Sequence, residues 1–251
     1  MTPPAPALLT RMGRWLWGLG ADLAIFFITV FLGSLAIATI LITRRGWAVD
    51  VLGRIWGRWI LKVCGIQVEV EGIDRVDRTH SYVIVSNHLS NFDIFATLAA
   101  VPLAIHFVAK KELLRLPVFG QALALSDHIV IDRANPDSAI ACINQRVASQ
   151  IDTGFCVLFY AEGTRSADGR VHAFKKGGVT LALRTGLPIV PMSISGTRKF
   201  LPKRHFVIRP GGRVKIVLGT PIETKDYPYE RRDELNERVR AAIIENYVED
   251  Y

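Results

Sequence analysis

The dominant feature of the hydropathy pattern is an uninterrupted apolar run over residues 23–42 (LAIFFITVFLGSLAIATILI), which contains no charged side chain. Coiled as a helix it is about 30 Å long, the thickness of a bilayer core, so the run predicts a membrane-embedded helix. It ends in Thr43, Arg44 and Arg45 instead of a small-residue cleavage site, which argues against a secretory signal. Gly33 and Ser34 fall mid-run, where a helix can kink or turn back, so a hairpin dipping into one leaflet competes with a true span. Over 47–65 the pattern becomes amphipathic. Arg54, Arg58 and Lys62 recur every fourth residue on one helical face, with Val51, Leu52, Ile55, Trp59, Ile60 and Val63 largely opposite. This predicts an interfacial helix, the alternative being a soluble helix packed on a domain core. Trp15, Trp17, Trp47, Trp56 and Trp59, all the tryptophans of the chain, surround the apolar run, as expected at head-group depth. Arg44, Arg45, Arg54, Arg58 and Lys62 follow the run and only Arg11 and Arg14 precede it, a bias that puts the remaining chain in the cytoplasm.

From residue 66 the period shortens. Apolar, β-branched runs at 66–71, 82–86, 104–109, 128–131, 155–160, 188–194 and 213–218 predict strands. Between them, Asn135 and Pro136 open a helix with Ile140, Ile143, Val147 and Ile151 on one stripe, closed by Gly154. A C-terminal helix begins near Pro228 and buries Leu235, Val239, Ile243 and Tyr247. Such alternation predicts an α/β fold: a largely parallel central sheet of about seven strands flanked by helices, with functional groups in loops beyond the strand ends. The organisation expected is an N-terminal membrane anchor and amphipathic interfacial helix over 1–65 and a catalytic α/β domain over 66–251.

Composition changes this picture in two ways. At 50% hydrophobic residues and a mean hydropathy of +0.25 the chain is too apolar for disorder or for an ordinary soluble domain. A net charge of +8 and a pI near 9.6 call for anionic partners: phosphorylated substrates, acidic lipid head groups or nucleic acid. Cys64, Cys142 and Cys156 are odd in number and widely spaced, so neither a disulfide framework nor a zinc site is expected.

The candidate chemistry sits at strand ends. Tyr82-Val-Ile-Val-Ser-Asn87 leads into His88-Leu-Ser-Asn-Phe-Asp93. Ser90 is a good helix N-cap and Asp93 then stands at N3, where a carboxylate alone could be half of a capping box. That explains Asp93 but not His88. An imidazole in the turn before the cap can meet the N3 carboxylate, which fixes its tautomer and makes it a general base. Phe159-Tyr-Ala-Glu-Gly-Thr-Arg-Ser166 follows another strand and adds Glu162, suited to polyol hydroxyls, and Arg165, suited to phosphate, unless both are simply solvated. Two further strands end in Arg133 and in Lys110 and Lys111. On one edge of a parallel sheet, Lys110, Arg133 and Arg165 would bind an anion beside the base.

Taken together these segments resemble the glycerolipid acyltransferases typified by 1-acylglycerol-3-phosphate (lysophosphatidic acid) acyltransferase. NHLSNFD resembles the family's NHxxxxD block, residues 120–133 (GQALALSDHIVIDR) its second, FYAEGTRS its FPEGTRS block, and LPIVP at 187–191 its fourth. The resemblance implies His88 and Asp93 as the catalytic pair, Lys110, Arg133, Glu162, Gly163, Thr164 and Arg165 as substrate-binding, and a membrane-anchored enzyme. Tyr160-Ala161 replaces the commoner Phe-Pro before Glu162, a change in turn stiffness more than in chemistry.

The expected reaction is transfer of an acyl group from a thioester, acyl-CoA or acyl carrier protein, to the hydroxyl of lysophosphatidic acid. No acyl-enzyme, metal or cofactor is expected: no GxSxG elbow occurs, and Cys156 lies inside an apolar strand. Backbone N–H groups at a helix N-terminus would stabilise the oxyanion. Other acceptors (glycerol 3-phosphate, another lysophospholipid, a non-phosphate lyso-lipid), a phosphoester hydrolase, and a nonenzymatic membrane or nucleic-acid binder are the rivals. The hydrolase lacks clustered metal ligands among His80, His106, His128, His172 and His205. The non-enzyme leaves the base, the acid and the three strand-end cations unexplained, so no nucleic-acid partner is expected. Arg198, Lys199, Lys203 and Arg204 are either a contact for the acidic donor or a solvated loop. The setting expected is a bacterial inner membrane, with the catalytic domain facing the cytoplasm.

Overall fold

The computed structural model describes residues 8–44, 47–132 and 154–251. The predicted helix over 135–153 and Arg133 lie outside the described residues.

Seven strands form one sheet: β1 (Ile66–Glu71), β2 (Val83–Ser86), β3 (Ala104–Lys110), β4 (Ile129–Ile131), β5 (Phe155–Tyr160), β6 (Ile189–Ser195) and β7 (Gly212–Leu218), in the order β1-β7-β6-β2-β5-β3-β4. All neighbours are parallel except β6 and β7, which pair Met192 with Leu218 and Ser195 with Lys215 antiparallel. The expected largely parallel sheet is formed, and each predicted strand falls within a residue or so of its place. Central β2 and β6 are buried along their whole length, as apolar runs covered on both faces must be, whereas edge strand β1 alternates between inward and outward positions.

Period-two alternation sorts the strand residues between two cores. Ile84, Leu158 and Ile194 face one side, with Ile60 of α2 (Trp47–Val63) and Phe92 and Ala96 of α3 (Phe92–Ala100). Val83, Val85 and Val157 face the other, with Val179 and Ala182 of α5 (Gly177–Thr185) and Leu235, Val239 and Ile243 of α6 (Arg232–Glu245). The stripe predicted for the C-terminal helix is therefore buried. Tyr247 lies past its end and donates its hydroxyl to the Gly169 carbonyl.

The apolar run lies within α1 (Leu8–Thr43), a single unbroken helix. No turn forms at Gly33-Ser34; a Cβ on Gly33 would come within 2.8 Å of Val118 Cγ1, just before α4 (Phe119–Leu125). From Gly18, beside Ile208, through Thr29, whose Oγ1 accepts a bond from Trp56 Nε1 (2.9 Å), to Gly33, α1 lies against the rest of the protein over about 23 Å. Its opposite face exposes Leu23, Phe26, Phe27 and Phe31.

Helix α2 packs on α3 as well as on α1. Its Arg54 donates to the carbonyls of Val101 and Leu103 (2.7 Å each) and Arg58 to that of Ala99 (3.3 Å). Those two cations serve carbonyls at the end of α3 and in the turn that follows it, a role the helical-wheel pattern does not distinguish from lipid contact. The alternative of a helix packed on the core thus describes this face. Trp56 likewise packs edge-on against Phe95, at 4.8 Å between ring centroids, while Trp15, Trp17 and Trp59 are exposed.

Candidate active site

The central strand β2 runs out at Ser86, and Asn87 pins the chain there: its side-chain amide donates to the Ile194 carbonyl and its oxygen accepts the Ile194 N–H, both at 2.9 Å. The chain then turns back through His88 into α3. His88 Nδ1 lies 2.6 Å from Asp93 Oδ2. Asp93 is fully buried. Its Oδ2 also accepts the N–H groups of Leu89 (2.7 Å) and Ser90 (3.0 Å), and its Oδ1 accepts the Thr197 hydroxyl (2.5 Å).

Ser90 Oγ accepts the Phe92 N–H at 3.3 Å and donates to the Leu201 carbonyl at 2.9 Å. The capping role and the histidine-holding role of Asp93 are thus filled by one carboxylate. With Nδ1 engaged by an acceptor, the neutral ring carries its hydrogen on Nδ1, and Nε2 is the nitrogen able to take a proton. The ring keeps 15% of its side-chain surface exposed.

The Glu162 turn closes over the same point. Glu162 Oε1 accepts the His88 N–H (3.1 Å), Oε2 accepts that of His172 (3.4 Å), and the Ser166 N–H donates to the His88 carbonyl (2.7 Å). Burial pushes the Glu162 carboxyl above the ordinary glutamate value, opposed by these two N–H groups. Gly163 has φ of +70°, and a Cβ there would meet Lys175 Cε at 2.8 Å, so glycine alone fits without strain. Tyr160 stacks beneath His88, ring centroids 4.1 Å apart and planes 13° from parallel. Burial raises its phenol well above the ordinary value, reinforced by the Asp93 charge.

Of the residues expected in the site, the structure links His88, Asp93 and Glu162 by direct hydrogen bonds. Arg165 is partly exposed and Thr164 exposed in the Glu162 turn, and Lys110 is exposed at the end of β3 on the same sheet edge. Lys111 instead pairs with Asp132 at 2.5 Å. Thr197 and Tyr160 escaped the sequence reading. Thr197 stands after β6 in an unremarkable Gly-Thr step. Tyr160 carried the one available signal, its place in a position usually taken by another side chain.

Two further expectations meet the geometry differently. The N–H groups of Leu89 and Ser90 are spent on Asp93 and that of Phe92 on Ser90, so at the start of α3 these three are not available as the helix N-terminal groups expected to stabilise an oxyanion. Cys156 is buried within β5, and burial raises its thiol to about 12, which keeps it from acting as a thiolate nucleophile.

An apolar cavity of about 140 Å³, open to solvent, lies between α1, α2, α4 and β3, walled by Ala36, Gly53, Leu98, Phe107, Phe119 and Leu123 among others. Phe107 stacks on Tyr160 (centroids 6.2 Å) and Tyr160 on His88, so one ring, Tyr160, stands between the cavity wall and His88. Asp50 and His128 also line it. Burial raises Asp50 to about 6, and burial lowers His128 to about 4.

A largely parallel α/β sheet thus delivers an aspartate-held histidine to its edge, with an apolar cavity beyond Tyr160, an arrangement able to support general-base chemistry. The family description "Acyltransferase" matches residues 67–195, which contain the pair, the Glu162 turn and β6. The chain belongs to this acyltransferase family and is an acyltransferase. It is 34% identical over 197 residues to a 1-acyl-sn-glycerol-3-phosphate acyltransferase of Limnanthes alba, covering 78% of this chain and 69% of that one. To the Pseudomonas aeruginosa enzyme of the same name it is 32% identical, covering 76% and 73%. The crystal structure of the 1-acyl-sn-glycerophosphate (LPA) acyltransferase PlsC from Thermotoga maritima superposes with a TM-score of 0.80 at 26% identity, covering 94% of this chain and 95% of that one.

Proposed function

We propose that the protein transfers a fatty acyl group from acyl-CoA or acyl carrier protein to the free hydroxyl of lysophosphatidic acid, giving phosphatidic acid. The observation that carries the mechanism is the 2.6 Å contact between His88 Nδ1 and the buried Asp93. His88 Nε2 takes the hydroxyl proton as the acceptor oxygen bonds to the thioester carbonyl carbon. The carbon–sulfur bond then breaks, and the departing thiolate recovers a proton from the imidazolium, which Asp93 stabilises meanwhile. Lys110, Arg133 and Arg165 hold the acceptor phosphate, with Glu162, Gly163 and Thr164 forming the turn against its glycerol. The acyl chain occupies the cavity lined by Leu98 and Phe119. The names of the sequence relatives support the acceptor, and the apolar lining of the cavity supports an acyl chain.

The long contact between α1 and the domain favours embedding in one leaflet over a span, because a span would draw the flanking polar domain into the hydrocarbon. The exposed apolar face of α1 then rests in the membrane with the catalytic domain at its cytoplasmic side, a bacterial inner membrane by this reading. Assay of the purified enzyme in vesicles, with defined lyso-lipids, glycerol 3-phosphate and both thioesters, tests this. His88→Ala should abolish transfer and leave membrane attachment intact. Transfer at a near-normal rate would refute the mechanism, and preference for another acceptor would refute the substrate.

A further inference from the structure

Between Asp168 and Glu223 the chain contains no acidic residue, and midway through that stretch it forms a compact loop. The Arg209 N–H closes the base on the Phe200 carbonyl (2.9 Å), and the His205 N–H closes an inner turn on that of Pro202 (3.1 Å). Phe200 and Ile208 are buried at the base. At the tip the order reverses. Arg204, held at φ of +68°, and His205 are exposed, and Phe206 is 86% exposed, more than any other large apolar side chain of the described residues. No carboxylate pairs with Lys203, Arg204 or Arg209 among the described residues.

A bare phenylalanine is costly in water, and a cluster of unpaired cations around it is costly in a protein interior. An anionic bilayer surface satisfies both, since the ring enters the apolar boundary while the cations stay with the head groups. The loop also stands where the membrane is expected. Gly18 of α1 is buried beneath it, and a Cβ there would come within 2.6 Å of the Ile208 carbonyl oxygen. Beside Gly18, α1 exposes Trp15, Leu16, Trp17 and Leu19. The loop thus continues the apolar face of α1.

We propose that the loop over 202–209 is a second membrane contact, in which Phe206 inserts into the interface and Lys203, Arg204 and Arg209 engage anionic lipid head groups. At its near end the chain carries Thr197, bonded to Asp93, and Leu201, bonded to Ser90, so this contact also holds the mouth of the site against the lipid surface. The proposal rests on the reading of α1 as membrane-embedded.

The test places an environment-sensitive fluorophore on the full-length protein at Phe206→Cys, at Phe27→Cys on α1 or at Arg238→Cys on the far helix layer. A Cys142→Ser background is used because Cys64 and Cys156 are buried. In phosphatidylglycerol vesicles carrying spin-labelled lipid, positions 206 and 27 should be quenched several-fold more than 238. Adding Lys203→Gln and Arg204→Gln should reduce quenching at 206 alone. Quenching at 27 without quenching at 206 overturns the loop contact and leaves the anchor standing; quenching at neither overturns both. Equal quenching at 206 in phosphatidylcholine vesicles overturns the role of the cations. A raised KM for the acyl thioester in Lys203→Gln/Arg204→Gln, with quenching at 206 unchanged, reassigns the loop to the donor.

Discussion

Replacing Asp93 with Asn isolates the charge of the proposed catalytic pair from its geometry. The Oδ2 position is surrounded by three N–H groups, from His88, Leu89 and Ser90, so the new amide must keep its oxygen there. Its NH₂ then faces the Thr197 hydroxyl, which can turn to accept. The buried Thr197 hydroxyl hydrogen then loses its acceptor, which costs about 1–3 kcal/mol, so the variant should still fold but melt several degrees lower. What disappears is the attraction between the carboxylate and the imidazolium that the proposed mechanism forms. With the heavy atoms 2.6 Å apart, the charge centres are about 4 Å apart, and at an effective dielectric of about 20 the attraction is about 4 kcal/mol. Since about 1.4 kcal/mol changes a rate tenfold, kcat should fall about a thousandfold. The acceptor KM should change little, because Asp93 touches no part of the proposed phosphate site. Steady-state acyl transfer in vesicles, with folding checked by circular dichroism, provides the measurement. A folded variant that keeps more than a tenth of wild-type kcat would refute Asp93 as the stabiliser of a histidine base.

Two other consequences are open to direct measurement. Gly53 lines the cavity, and a Cβ there would meet Leu98 Cδ2 at an ordinary 3.8 Å, so Gly53→Leu fits and fills the space beyond. Excluding two methylenes at about 0.8 kcal/mol each should lower kcat/KM for the longest chains about fifteenfold relative to short ones; an unchanged chain-length profile would place the acyl chain elsewhere. Asp50 is raised from 3.8 to about 6, so the folded state binds its proton more tightly and stability falls as pH climbs through that interval. Asp50→Asn should remove this loss, on the order of 2 kcal/mol after screening at a partly exposed site, and parallel melting curves for variant and wild type across that range would contradict the assignment.

The sequence by itself determined the strands, the C-terminal helix and the meeting of His88 with Asp93. Strands fall where β-branched runs stand because alternate residues of a sheet must serve two cores, a requirement written locally in the pattern. The His88–Asp93 pair was legible for the same reason: the two residues are five apart, and the turn that joins them is the N-terminus of a helix whose capping residues announce it. Sequence could not assign roles that depend on what comes to lie opposite. Thr197 reaches Asp93 from more than a hundred positions away, and Tyr160 meets the imidazole only because β2 and β5 are neighbours. A helical wheel marks Arg54 and Arg58 as a basic face but is silent on whether carbonyls or head groups receive them. Likewise the hydropathy of residues 23–42 measures length and apolarity, which a span and a one-leaflet helix share. Only the tertiary structure decided how α1 sits on the domain, because that depends on which of its faces the remaining chain covers.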